Sequence, residues 1–206
     1  MNIKSPRILI VDNYDSFTYN LVQIIREHSG CLFDVLKNDK INVSHAAKYD
    51  GILFSPGPGI PKESPIMKEL LRLYHGKKSI LGICLGHQAI AETFGMKLIK
   101  LDTVRHGLKT LIKVIDSSDY IFEGVPLEFT AGLYHSWAVS AEGRLPESVS
   151  DLRVTALSND GIIMAIAHVR YDIRGVQFHP ESYLSEYRHM IIHNWINHLS
   201  CGRSNF

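Results

Sequence analysis

Leu81-Gly82-Ile83-Cys84-Leu85-Gly86-His87-Gln88 joins an apolar, strand-like run to a helical pattern through a cysteine set between two glycines. The side chain at the tip of a sharp strand-to-helix turn stands clear of the backbone, and only small neighbours such as Gly82 and Gly86 tolerate the crowding. The start of the following helix adds partial positive charge, which favours thiolate over thiol. Cys84 is therefore a candidate nucleophile. The competing reading is a buried small hydrophobe, the usual state of a free cysteine.

Upstream, Arg7-Ile8-Leu9-Ile10-Val11 is a continuous apolar run, as expected of a strand covered on both faces. It stops at Asp12-Asn13-Tyr14-Asp15-Ser16, with Asp15 or Ser16 placed to cap a helix whose apolar positions are Phe17, Leu21, Ile24 and Ile25. Leu32 to Leu36, Gly51 to Phe54 and Ser79 to Ile83 read as further strands, with a helix over Pro65 to Tyr74. This alternation predicts an α/β fold with a doubly wound, mostly parallel sheet. Ligands of such sheets bind at the carboxyl ends of the strands, where both the Cys84 turn and Ser55-Pro56-Gly57-Pro58-Gly59-Ile60-Pro61 fall. The second loop lacks the lysine and Ser/Thr of a phosphate loop, so an oxyanion-binding role competes with an ordinary tight turn.

After Gly95 the pattern changes to short strand-like runs, 111 to 115, 154 to 157 and 162 to 167, which predict a small antiparallel extension of the same domain over residues 1–206. Within it, Gly132-Leu133-Tyr134-His135-Ser136-Trp137-Ala138-Val139 is a polar cluster between apolar residues, compatible with a plain strand. The last strand, Arg174 to Phe178, runs into His179-Pro180-Glu181. Pro180 favours extended geometry at His179, so residues 179 and 181 project to one side as a base and its orienting carboxylate. An amphipathic helix over about residues 185 to 199 closes the chain, with Tyr187, Ile191, Trp195 and Leu199 on one face. His189 and His193 lie one turn apart there, but a metal site would need a third ligand that the sequence does not supply.

Composition narrows the function. At 206 residues and 45% hydrophobic content the chain can bury a substantial core, and 22 Lys plus Arg against 21 Asp plus Glu leave no basic field for nucleic acid. Three scattered cysteines make no disulfide framework and suit a reducing cytoplasm; Cys31 and Cys201 lack the glycine pair two residues to either side that marks Cys84, have no obvious base, and read as structural. No apolar run reaches membrane-spanning length and no targeting segment is evident.

With G-I-C-L-G-H-Q at 82 to 88 and H-P-E at 179 to 181, the chain resembles the class I (triad) glutamine amidotransferases nearly end to end. Asp12-Asn13-Tyr14-Asp15-Ser16-Phe17-Thr18-Tyr19-Asn20-Leu21, the S-P-G-P-G-I-P loop and Tyr134-His135-Ser136 are similar to the chorismate branch, the glutaminase components of anthranilate and aminodeoxychorismate synthases. The resemblance implies a flavodoxin-like sheet, with Cys84 as nucleophile, His179 as acid/base and Glu181 as its orienter. It implies an oxyanion site at the N–H groups of Leu85 and of the Gly57-Pro58-Gly59 loop, with Gly57 the favoured donor because Pro58 has no N–H. It also implies glutamine contacts at Gln88 and at the backbone of Ser136 and Trp137, although many relatives carry an aliphatic residue where this chain has Trp137. No metal or other cofactor is implied for this subunit. Its partners would be L-glutamine and a larger chorismate-binding synthase component that receives the ammonia, making anthranilate or aminodeoxychorismate or serving both. A γ-glutamyl peptide hydrolase and a catalytically silent regulatory subunit remain alternatives.

Overall fold

The computed structural model describes residues 5–28, 30–140 and 151–200 of the chain. Its first half alternates as read: β1 (Arg7–Asp12), α1 (Thr18–Glu27), β2 (Leu32–Lys37), β3 (Gly51–Phe54), α2 (Pro65–Tyr74), β4 (Ser79–Ile83) and α3 (Leu85–Thr93). There follow β5 (Leu98–Val114), β6 (Glu128–Val139), β7 (Leu152–Ser158), β8 (Ile163–His168), β9 (Ile173–Val176) and α4 (Arg188–Ser200). All nine strands join one sheet in the order β2-β1-β3-β4-β9-β8-β7-β5-β6. From β2 to β9 the pairings are parallel, and from β9 onward they are antiparallel.

Alternation along β1 explains the layers. Ile8 and Ile10 pack with Leu21, Ile24 and Ile25 of α1 and with Ile192, Trp195 and Ile196 of α4. Leu9 and Val11 face the other way, toward Met67, Leu70 and Leu71 of α2 and Ala89 and Ile90 of α3. Because successive side chains of a strand point to opposite faces, an unbroken apolar run is what a strand between two helical layers requires.

Several local expectations are corrected. Neither Asp15 nor Ser16 caps α1; Phe17 holds the cap position without a side-chain bond. Asp15 Oδ1 instead accepts the Phe17 N–H at 2.7 Å, closing the turn before the helix. Tyr187 is not on the buried face of α4, which begins at Arg188, but precedes it with φ 50° and 43% exposure. The strand expected to reach Phe178 ends at Val176, although the Gln177 N–H still bonds Met164 O at 2.8 Å and the His179 N–H bonds Gly132 O at 3.0 Å. Strand β5 starts well before residue 111, at Leu98; its first half is exposed or half-buried and carries no apolar run by which the sequence could reveal it. Cys201 lies outside the described residues, and Cys31 Sγ rests near Ile25 O at 3.5 Å. Among the described residues no helix is long and apolar enough to cross a membrane.

Helix α3 lies against β4 and β3 with no side chain between the backbones. A Cβ on Gly82 would stand 2.5 Å from the Gly86 carbonyl oxygen, and one on Gly86 would stand 2.6 Å from Phe54 Cβ. Both obstacles belong to packed elements rather than to movable side-chain ends. Gly82→Ala is therefore expected to destabilise the fold by about 3 kcal/mol, the upper part of the range for overpacking. Urea denaturation measures this, and an unchanged midpoint would show that the contact yields easily.

Candidate active site

Cys84 stands between β4 and α3 at φ 50° and ψ −97°. The other described non-glycine residues at positive φ are Tyr14 and Tyr187. Such a conformation costs on the order of 1–3 kcal/mol and persists only where its surroundings hold it. Here the Cys84 N–H bonds Val176 O at 2.8 Å and its carbonyl accepts the Gln88 N–H at 3.0 Å, so the turn is tied to β9 on one side and starts α3 on the other. The first N–H groups of α3 lie outside the i→i−4 ladder, which leaves the Leu85 amide next to the thiol as a donor to anions.

The parallel placement of β9 beside β4 brings the distant His179 to this turn. His179 is 1% exposed, and its Nδ1 lies 2.6 Å from Glu181 Oε1. The Ser185 hydroxyl donates to the His179 carbonyl at 2.6 Å, and the rings of Phe17 and Tyr134 meet the imidazole edge-on at 5.3 and 4.9 Å. Burial presses the imidazolium toward deprotonation, but the charges of Glu181 and Cys84 together outweigh it and hold His179 well above its ordinary pKa. Thiol, imidazole and carboxylate thus form a series with the chemistry of a nucleophile, a base and an orienting group.

Cys84 opens on a pocket of about 230 Å³ whose walls include Gly57, Pro58, Gly59, Leu85, Gln88, Ser136 and Trp137. Every binding residue expected from the sequence therefore reaches one cavity; His179 and Glu181 are not among the residues lining it, and Glu181 lines a separate pocket with Asn20, Ile24 and Tyr183. The Gly57 loop is pressed onto the turn: a Cβ on Gly57 would stand 2.6 Å from Asn13 Cβ and 2.7 Å from Leu85 Cδ2. Gln88 is 3% exposed, and its Nε2 donates to Trp137 O at 2.9 Å and to Gln177 Oε1 at 3.2 Å. Both amide hydrogens are thereby engaged, which leaves Oε1 of Gln88 as its atom for a ligand.

Sequence reading missed several residues that build this site. Val104, His106, Tyr134 and His135 also line the pocket; they come from β5 and β6, whose pairing could not be read from polar sequence. Asn13 anchors the Gly57 loop, its N–H bonding Ser55 Oγ and its Nδ2 bonding Ser55 O, both at 2.9 Å. Asp12, 1% exposed, accepts from the Tyr14 N–H, the Thr18 hydroxyl and Lys37 Nζ. Gln177 is fully buried between Gln88 and Cys84. Its position two residues before His179 was the available signal.

Two further histidines close to the site shift the other way. Burial lowers His87 to about 3 and His135 to about 4. His135 Nδ1 lies 2.8 Å from Trp137 O, and because a carbonyl only accepts, that nitrogen carries the proton.

The chain is similar over most of its length to known proteins. Residues 9–199 match the family described as glutamine amidotransferase class-I. A Haemophilus influenzae protein assigned as anthranilate synthase component II is 44% identical over 190 residues, which cover 92% of this chain and 95% of that one. Aminodeoxychorismate synthase component 2 of Escherichia coli K12 is 40% identical over 192 residues, covering 92% and 99%. The crystal structure of a Thermoplasma acidophilum protein assigned to GMP synthase superposes with a TM-score of 0.84 at 28% identity, covering 97% of this chain and 96% of that one.

The lowered histidines set an acid limit on stability. A histidine whose folded pKa lies below its unfolded value near 6.5 takes up its proton more readily when unfolded, so stability is lost as pH falls from about 6.5 toward the folded value. His179, raised in the fold, is protonated in both states below about 6.5, so its stabilisation is fully present there and adds no slope. The urea midpoint is expected to fall between pH 6.5 and 4, and His87→Leu to reduce the slope by up to about 1.4 kcal/mol per pH unit. Parallel pH profiles for the two proteins would exclude His87 as a source of the acid sensitivity.

Proposed function

The chain belongs to the class I glutamine amidotransferases, and on that footing we propose that it releases ammonia from L-glutamine through Cys84, His179 and Glu181 for a chorismate-using synthase subunit. The observation that carries the reading is the 2.6 Å pair of His179 Nδ1 and Glu181 Oε1 buried behind the Cys84 turn. The Cys84 thiolate attacks the side-chain amide carbon, and the carbonyl π electrons move onto oxygen. The N–H groups of Leu85 and Gly57 receive that oxyanion. His179 gives its proton to the departing nitrogen, the C–N bond breaks, and ammonia leaves a γ-glutamyl thioester. His179, now neutral, takes a proton from water as it attacks the thioester; glutamate leaves and the thiolate returns.

Gln88 Oε1 and the backbone at Ser136 and Trp137 hold the amino-acid end of glutamine in this scheme. The reaction so drawn uses only side chains and backbone of this chain, and the free thiols of Cys31 and Cys84 suit a reducing cytoplasm. Ammonia set free into solvent would be lost as ammonium, which is the chemical reason for a synthase partner. Relatives named for anthranilate synthase, at 44% and 43% identity, support anthranilate as the product. The aminodeoxychorismate relative at 40% supports the second reading, in which this subunit serves that synthase or both.

The test is reconstitution with the synthase component, chorismate and glutamine, followed by spectroscopic identification of the aminated product. Cys84→Ser is expected to lower glutamine-dependent synthesis by about a thousandfold or more, as for loss of other nucleophiles, while ammonia-dependent synthesis continues. Undiminished use of glutamine by that variant would overturn the nucleophile assignment.

A further inference from the structure

Packing alone gives Gln177 no reason to be polar. It is fully buried just beyond the end of β9, where an apolar residue would meet the same packing. Its amide is nevertheless fixed in orientation by a chain of bonds that begins at a carbonyl. Trp137 O can only accept, so the nitrogen of Gln88 faces it, at 2.9 Å. The second hydrogen of that nitrogen points to Gln177 at 3.2 Å, which therefore presents its oxygen to Gln88. The Gln177 nitrogen is left toward Cys84, 3.5 Å from Sγ.

Resting on the triad reading above, we propose that Gln177 is a further catalytic residue: its side-chain amide donates to the Cys84 sulfur and stabilises the thiolate from the side opposite in chemistry to His179. His179 can neutralise the thiolate by giving up a proton, whereas a carboxamide donates a hydrogen bond without transferring it. The donor thus persists through every step in which His179 changes its protonation. The same amide accepts from Gln88, so the wall that meets glutamine and the sulfur that attacks it are joined by two hydrogen bonds.

Gln177→Glu separates the two halves of this role. The carboxylate keeps an oxygen for Gln88 Nε2 but sets an acceptor against the sulfur. The rate of Cys84 alkylation by iodoacetamide is followed against pH, with Cys84→Ser as the blank for the other cysteines. The midpoint is expected to rise by at least about one pH unit, the size of one charge-assisted hydrogen bond. In the reconstituted complex, kcat for glutamine is expected to fall about tenfold or more with KM changed less than twofold. Gln177→Leu, which removes the donor without adding charge and suits a buried position, is the second variant and is expected to raise the midpoint in the same direction.

Unchanged midpoints in both variants, with thermal unfolding showing them folded, would overturn the role of Gln177 while leaving the triad standing. If the Cys84→Ser blank itself retained glutamine-dependent activity, the triad reading would fail and take this proposal with it. If Gln177→Glu does not fold, the Gln177→Leu midpoint alone decides.

Discussion

The site depends on a contact between backbones. Helix α3 can begin within one residue of β4 only because Gly82, Gly86 and Phe54 meet without intervening side chains. That closeness forces the connecting residue into positive φ, and Cys84 is held there by the bond from its N–H to Val176 O. The strain at one residue is thus balanced by sheet and helix packing on both sides, and the thiol is delivered beside unpaired helix N–H groups. A larger residue at either glycine would relax the turn and withdraw the thiol from those donors.

Strand order does the rest. β9 follows β4 by some ninety residues in sequence yet pairs beside it in parallel, Ile83 opposite Val176. The chain leaving β9 therefore emerges next to the chain leaving β4, which sets Gln177 and His179 against Cys84. The bond from His179 N to Gly132 O then ties β6 to the same place, so the Tyr134 to Trp137 stretch becomes the far wall of the pocket. The loop after β1 completes the frame: Asn13 fixes the Gly57 loop, and Phe17 packs on Tyr134 at 4.8 Å and on His179.

What could be read in advance follows from this division. The parallel strands were legible because burial on both faces requires apolar runs, and the Cys84 turn because crowding requires glycine. The pairing of β5 with β6 was not, since exposed antiparallel ribbons are stabilised by register and carry little apolar signal; this pair also shifts register between Lys100 and Arg105 and again between His106 and Leu108. Asn13 and Asp12 could be recognised as part of a motif but not as the anchor of a neighbouring loop, because their partners at Ser55, Thr18 and Lys37 are set by the assembled sheet. Gln177 was hidden for the same reason: a buried amide announces itself only when both of its partners are known.

Three histidines in one small region show how environment rather than residue type assigns chemistry. His87 lies in a fully buried slot against Gly175, and burial is the main cause that keeps it neutral. His135 is also buried, and its bond to Trp137 O fixes which nitrogen holds the proton. That carbonyl receives Gln88 Nε2 as well, so both of its lone pairs are used and the peptide between Trp137 and its neighbour is pinned in place. His179 faces the Glu181 carboxylate with its Nδ1, and the charges of Glu181 and Cys84 raise its pKa. Near neutral pH, then, His87 and His135 hold the frame without carrying charge, whereas the neighbouring charges of Glu181 and Cys84 hold His179 toward its protonated form.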